Sequence, residues 1–533
     1  MKPNSCIRGL AVISFLALLT NCNNVPDSKK PMEMENNVSE EELYRPNFHF
    51  TPKENWMNDP NGMFYLDGIY HLFFQYYPDD NVWGPMHWGH AVSKDMVVWE
   101  EKKIAIYPDS LGYIFSGSAV VDHMNSSGFG DGNTPVVVSI FTYHDPVGEK
   151  EGKIDFQSQA IAYSHSKGNT WIKYDGNPVI PNPGIKDFRD PKVIWDEDHD
   201  QWIMVLATYS ETLFYGSPNL KEWSLLSRFG DGIGAHGGVW ECPDFFPMKI
   251  DGSDDTKWVL LQSLNPGSAN GGSGTQYFIG DFDGSKFILD PVFENQLNKN
   301  GAMWLDHGRD NYAGVTWSNV PKEDGRTLFI GWMSNWDYAL TVPTEKWRSS
   351  MTIARELSLS KIASGYVLRS HPVRELYRYS KSAVNETDIV FSGSHVLADR
   401  ERLDLTKAIV VIDLTIVAGT KYTFELSNAS GEILKFGIDT QENKYFIDRS
   451  GTGKIDFSEK FANSISTATY EALTGNLQMT FLIDKTSIEL FYNNGETVMT
   501  EIFFPTQPLN TLTLKSDADK NLINTLNIHA LKF

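Results

Sequence analysis

The 533-residue sequence reads as an all-β protein, a five-bladed β-propeller followed by a C-terminal β-sandwich. Strand-like runs, short and rich in β-branched and aromatic residues, stand at 69–76, 134–143, 201–207, 257–262 and 326–332. They recur with polar segments that begin near Asn58, Ser116, Arg189, Glu241 and Asp306. A unit of several short strands therefore repeats at roughly 50 to 75 residues, a size that suits a propeller blade. No long stretch carries a competing 3.6-residue apolar period.

Past residue 376 the pattern changes. The runs at 408–416, 421–426, 479–483, 487–492 and 500–504 read as sandwich strands, with Asn493-Asn494-Gly495 as a turn between two of them. The expected boundaries are a propeller over 44–376, a linker with a helical turn over 377–389, and a sandwich over 390–533. At the other end, Lys2 and Arg8 flank the start of an apolar run at 10–19 that is too short to span a bilayer comfortably. Leu19-Thr20-Asn21-Cys22 follows, similar to a bacterial lipobox although Asn21 stands where a small residue is usual. The expectation is a lipoprotein-type signal peptide over 1–22 with Cys22 lipidated, then a flexible acidic tether over 23–43. That anchor is the one membrane contact expected; without it the protein is exported in soluble form.

Composition narrows the partners. A formal net charge of -22 makes nucleic acid a poor ligand, since a polyphosphate calls for a basic surface. Aromatic residues reach 13%, enough to build a core and leave ring faces for a sugar groove. Cys6, Cys22 and Cys242 are too dispersed for a disulfide framework or a CxxC metal knuckle. His87 and His90 have the i, i+3 spacing of a metal pair on a helix, but they sit in a strand-like stretch, so no metal and no cofactor are expected. The oligomeric state stays open.

Three segments place acids in elaborate surroundings. Asp59 lies between Asn58 and a Pro-Asn-Gly turn; Asp190 follows Arg189, whose charge can keep it ionised; Glu241 stands between Trp240 and Cys242-Pro243. Each acid alone could belong to a turn or a surface ion pair. Brought together by converging blades, they suit glycoside chemistry, in which one carboxylate attacks the anomeric carbon and a second, protonated, assists the leaving oxygen. Cys242 points away from the Glu241 side if its segment is extended, and reads as a buried thiol.

These motifs also carry a resemblance. From about Asn55 to the C-terminus the chain resembles glycoside hydrolase family 32, the invertase, inulinase and levanase group. Asn55-Trp-Met-Asn-Asp-Pro-Asn-Gly62 is similar to the family's nucleophile motif, Arg189-Asp-Pro191 to its transition-state-stabilising motif, and Glu241-Cys-Pro243 to its acid/base motif. Gln75 in Phe-Phe-Gln-Tyr, the run at 83–91, Phe115-Ser116-Gly117 and the run at 331–336 match as well. The resemblance implies a propeller and a sandwich, with hydrolysis of β-fructofuranosidic bonds in levan or inulin. It makes Asp59 the nucleophile, Glu241 the general acid/base and Asp190 a carboxylate that grips sugar hydroxyls. It assigns substrate binding to Asn58, Gln75, Trp83, Ser116, Arg189 and Trp336, and implies a fructan or fructo-oligosaccharide as the partner. Tyr312 and Asp306 open the fifth unit and either reach the funnel or pack the blade. Asp484 and Glu489 carry over structurally. The sandwich either covers the propeller or helps hold polymer. The expected tuning keeps Glu241 protonated beside Trp240 and Asp59 ionised by local donors. Removal of terminal fructose, with some action on sucrose, is favoured slightly over an endo cut; a fructosyltransferase and a silent fructan-binding lipoprotein are the other readings.

Overall fold

The computed structural model describes residues 43–132, 135–470 and 475–533, so Cys22, the signal segment 1–22 and the tether up to residue 42 lie outside the described residues. Apolar runs form the strands at the centre of each sheet. Val136–His144 is buried at every position because its sheet is covered on both faces. Up to residue 372, the described residues form five sheets that follow one another in sequence, each built mainly of consecutive antiparallel strands. Their first strands are Asn55–Leu66, Tyr113–Asp122, Arg189–Asp196, Val239–Lys249 and Tyr312–Thr316. Each of these touches the first strand of the next sheet, and Tyr312–Thr316 touches Asn55–Leu66 again. This is the arrangement of a β-propeller, with inner strands gathered about one axis. Trp347–Arg348 pairs in parallel with Asn55 and Trp56, which fastens the end of the region to its beginning.

Two six-stranded sheets make the sandwich and enclose a core of Leu, Ile, Phe and Tyr side chains. Its Asn493-Asn494-Gly495 turn has both asparagines at positive φ, 48° and 57°, which suits a tight hairpin between Ser487–Tyr492 and Thr497–Ile502. The expected linker over 377–389 is not one. After a 3-10 turn at Arg374–Tyr379, Ser380–Phe391 is a strand that pairs along Asn521–Leu531, so the sandwich begins about ten residues before 390. Ser380–Phe391 is an edge strand whose side chains are mostly exposed, so it carries no apolar alternation to read.

Buried charge joins the two domains. His49 lies between the Asp484 and Glu489 carboxylates, each 2.8 Å from a ring nitrogen, and Glu489 and Asp306 together hold Arg355. Burial opposes a charge on His49, but hydrogen bonds and charge from Asp484 and Glu489 prevail and raise it to about 9. A raised folded-state value gives stability that is complete below about 6.5, the unfolded value, and lost as pH rises through 9. The melting temperature is therefore expected to fall between about pH 6.5 and 9, and a His49→Gln variant to show a flatter decline, as read by calorimetry across that range. An equal slope in both proteins would remove His49 as the cause.

Candidate active site

The five inner strands share a defect. Each carries a one-residue bulge near its start: between Met57 and Pro60, Ile114 and Gly117, Arg189 and Lys192, Glu241 and Asp244, and Tyr312 and Val315. A bulge breaks the alternation of faces and re-aims side chains. Asp59, Ser116, Asp190, Cys242 and Ala313 all fall within these bulges. Asp190, Cys242 and Ala313 have φ of 66°, 44° and 53°, left-handed values that cost a non-glycine residue about 1 kcal/mol or more. Beside Asp59, Gly62 has φ 53°, and a Cβ there would stand 2.5 Å from the Trp88 ring, so the Pro-Asn-Gly turn requires glycine.

The bulges surround a cavity of about 380 Å³. Its lining includes Asn58, Asp59, Gln75, Trp83, Ser116, Arg189, Asp190, Glu241 and Trp336, every candidate site residue of the propeller. Asp59 Oδ2 accepts a 2.7 Å hydrogen bond from Ser116, and Oδ1 takes none of ordinary geometry. Asp190 Oδ2 accepts the Cys242 backbone N–H at 3.0 Å. Glu241 is held from two sides: Arg189 Nη2 donates to Oε1 at 2.9 Å, and the Tyr312 hydroxyl donates to Oε2. Asn58 accepts the Trp56 indole N–H, Gln75 donates to Asn61, and Trp83, 39% exposed, stands at the mouth edge-on to Phe115.

Electrostatics differ from the expected tuning. Burial pushes Asp59 up, the Asn58 and Ser116 hydrogen bonds oppose it, and the Glu241 charge adds to the rise. Burial also lifts Asp190 to about 7, against the Arg189 charge and with help from Glu241 and Asp59. Arg189 does not chiefly serve its sequence neighbour. Its nitrogens bond Glu241 and Asp187, while the nearest approach to Asp190 is 3.9 Å.

The segment around Cys242 is bulged rather than extended, so its thiol turns towards the acids. Its Sγ lies 3.6 Å from both Asp59 Oδ2 and Asp190 Oδ2. Burial and these carboxylates push the thiol well above its usual range, so it stays protonated and unreactive. Iodoacetamide is accordingly expected to leave activity intact in the native protein while labelling Cys242 after denaturation, read by mass spectrometry of the Cys242 peptide. Beneath the acids, Lys192, Asp244 and Thr316 bond one another, and the space left beside Pro60, Gly117 and Pro243 is about 10 Å³. The floor is closed.

Tyr312 reaches the site, whereas Asp306 faces the sandwich, where it accepts bonds from Arg355 and Thr500. His87 and His90 do not form a pair: His87 bonds the Pro85 carbonyl, and His90 contacts His71. Residues that sequence reasoning passed over include Asp187, which holds Arg189, and the hydrogen-bonded His144 and Glu149 on the cavity wall. Nothing in their local sequence marks them; the fold brings them there. Phe156 and Gln157 also line the wall.

Comparison with known proteins agrees with this geometry. Residues 49–372 match the description "Glycosyl hydrolases family 32 N-terminal domain", and residues 375–530 match "Glycosyl hydrolases family 32 C terminal". A levanase of Bacillus subtilis is 44% identical over 92% of this chain and 71% of its own length. An extracellular exo-inulinase of Aspergillus awamori is 38% identical over 87% of this chain and 90% of its own. Among solved structures, exo-inulinase from Aspergillus awamori superposes with a TM-score of 0.83 at 36% identity, covering 92% of this chain and 98% of that one. β-Fructofuranosidase from Schwanniomyces occidentalis, complexed with fructosyl-erythritol, gives 0.82 at 33%, covering 93% and 99%. With both family domains matched in order and the acids of all three motifs in one cavity, the chain belongs to glycosyl hydrolases family 32 and is a glycoside hydrolase.

Proposed function

We propose that this enzyme hydrolyses β-fructofuranosidic bonds of fructans from the chain end, with retention at C2, and that its propeller has five blades. The observation that carries the reading is the meeting of Asp59, Asp190 and Glu241 in one cavity with a closed floor. Asp59 attacks C2 of the terminal fructose as Glu241 gives its proton to the departing oxygen, forming a fructosyl-enzyme. Glu241 then takes a proton from water, which attacks C2 and frees the Asp59 carboxylate. Asp190 accepts hydroxyls of the same fructose and does no proton chemistry, and its grip tightens as the ring flattens. Arg189 and Tyr312 orient Glu241, Ser116 orients Asp59, and Asn58, Gln75, Trp83 and Trp336 line the sugar's path.

Incubation with levan and with inulin, followed by chromatography over time, tests the proposal. Fructose alone from the outset is the expected result, and the faster polymer names the preferred linkage. A ladder of shorter chains means an endo cut, longer chains mean transfer, and no product means binding without catalysis.

The raised Asp59 gives a sign to the pH profile. At low pH Asp59 takes up a proton and stops attacking, and burial places that loss above the ordinary aspartate range; at high pH no protonated acid remains for the leaving oxygen. A bell-shaped kcat/KM with its maximum on the acid side of neutrality is expected, and a flat profile from about pH 4 to pH 9 would contradict it.

The sequence around Cys22 supports export with a lipid anchor. Palmitate labelling of the expressed protein, lost in a Cys22→Ala variant, is the expected outcome, and an unlabelled protein would leave export without an anchor.

A further inference from the structure

The segment that leads into Tyr312 lies along the edge of the sandwich. Thr497–Ile502 is the edge strand of one six-stranded sheet. The His307 N–H donates to the Val498 carbonyl at 2.7 Å and the Asp310 N–H to the Thr500 carbonyl at 3.1 Å, while the Ile502 N–H returns to Asp310 Oδ2 at 2.9 Å. A propeller segment thereby pairs with an edge that would otherwise be open.

Asp310, fully buried, is the centre of this contact. Its Oδ2 also accepts Arg449 Nη1 at 2.7 Å, and its Oδ1 accepts the Tyr338 hydroxyl at 2.7 Å. Arg449 Nη2 closes the set by donating to the Tyr338 oxygen at 2.8 Å. Arg449 belongs to the sandwich strand Lys444–Gly451, and Tyr338 stands two residues beyond Trp336 of the cavity wall. Two residues after Asp310, the Tyr312 hydroxyl meets Glu241. Between Tyr312 and Val315 the strand bulges, with Ala313 at φ 53°. A strained strand start does not hold itself; its surroundings must determine it.

We propose that Arg449 and Tyr338 are positioning residues for the acid/base: through Asp310 they fix the start of the fifth inner strand, and so the Tyr312 hydroxyl against Glu241. The sandwich then takes part in catalysis without touching substrate. This rests on the proposed role of Glu241. Mispositioning of a group that orients the acid costs turnover while leaving sugar binding in place.

The test is a double-variant cycle on sucrose as a small β-fructoside, with rates per folded enzyme. Tyr312→Phe is expected to lower kcat roughly tenfold, and Tyr338→Phe roughly threefold with KM unchanged. In Tyr312→Phe/Tyr338→Phe the second change is expected to cost nothing further, because the group it positions is gone. Arg449→Lys is expected to retain more turnover than Arg449→Met; if Arg449→Met does not fold, the Tyr338→Phe cycle decides. Losses that multiply in the double variant, or a Tyr338→Phe protein with lowered melting temperature and unchanged kcat, overturn the proposal, as does full turnover in Tyr312→Phe. A wild-type protein inert on sucrose and on both fructans fails differently: it overturns the proposed function, and this inference with it.

Discussion

An Asp59→Asn enzyme is expected to lose about 10⁴-fold or more in kcat on any fructan or on sucrose, while its melting temperature stays close to that of the parent. The substitution preserves shape and the 2.7 Å contact with Ser116, so the loss isolates the nucleophile from its support. Asparagine cannot form the fructosyl ester, so an activated leaving group should not rescue the rate. In the parent, brief incubation with substrate and acid quenching should leave Asp59 carrying one fructosyl unit, seen by mass spectrometry of the peptide. Activity within tenfold of the parent would remove Asp59 from the role.

The Glu241→Ala enzyme is expected to lose about 10³-fold in kcat on unactivated fructosides, within the range for removal of a general acid. Its signature differs from that of Asp59→Asn. A p-nitrophenyl β-fructofuranoside, whose leaving group needs little protonation, should still form the fructosyl-enzyme, and deglycosylation should then become limiting. Added azide should restore turnover with fructosyl azide as product, because a small anion can enter where the carboxylate stood and needs no general base. Equal losses on good and poor leaving groups, with no azide effect, would assign the acid elsewhere. Alanine also leaves Arg189 and Tyr312 without their shared partner, so stability should be followed in parallel.

The three acids of the cavity were legible as candidates because each is embedded in a short local motif, and the strands around them because their apolar runs are contiguous. What the sequence hid was set by distance or by broken alternation. His49 meets Asp484 and Glu489 more than 400 residues away, and no local pattern joins them. Cys242 defied the expectation of an extended segment because one extra residue before Asp244 turns its side chain about. Arg189 stands beside Asp190 in the sequence and its charge does oppose the rise of Asp190, but the fold directs its hydrogen bonds to Glu241 and Asp187, which no local pattern announces. Ser380–Phe391 was missed for the opposite reason, since a largely exposed edge strand has few buried faces to signal.

The closed floor beneath the acids also governs traffic. With Lys192, Asp244 and Thr316 filling the axis below, whatever enters the cavity from the mouth must return by the mouth. Under the proposed chain-end cut, each liberated fructose occupies the path that the next chain end needs, so the shortened polymer has to step back before the monosaccharide can depart. That mode is expected to proceed in separate encounters rather than by sliding along one chain, so that many polymer molecules shorten together instead of one being consumed before the next.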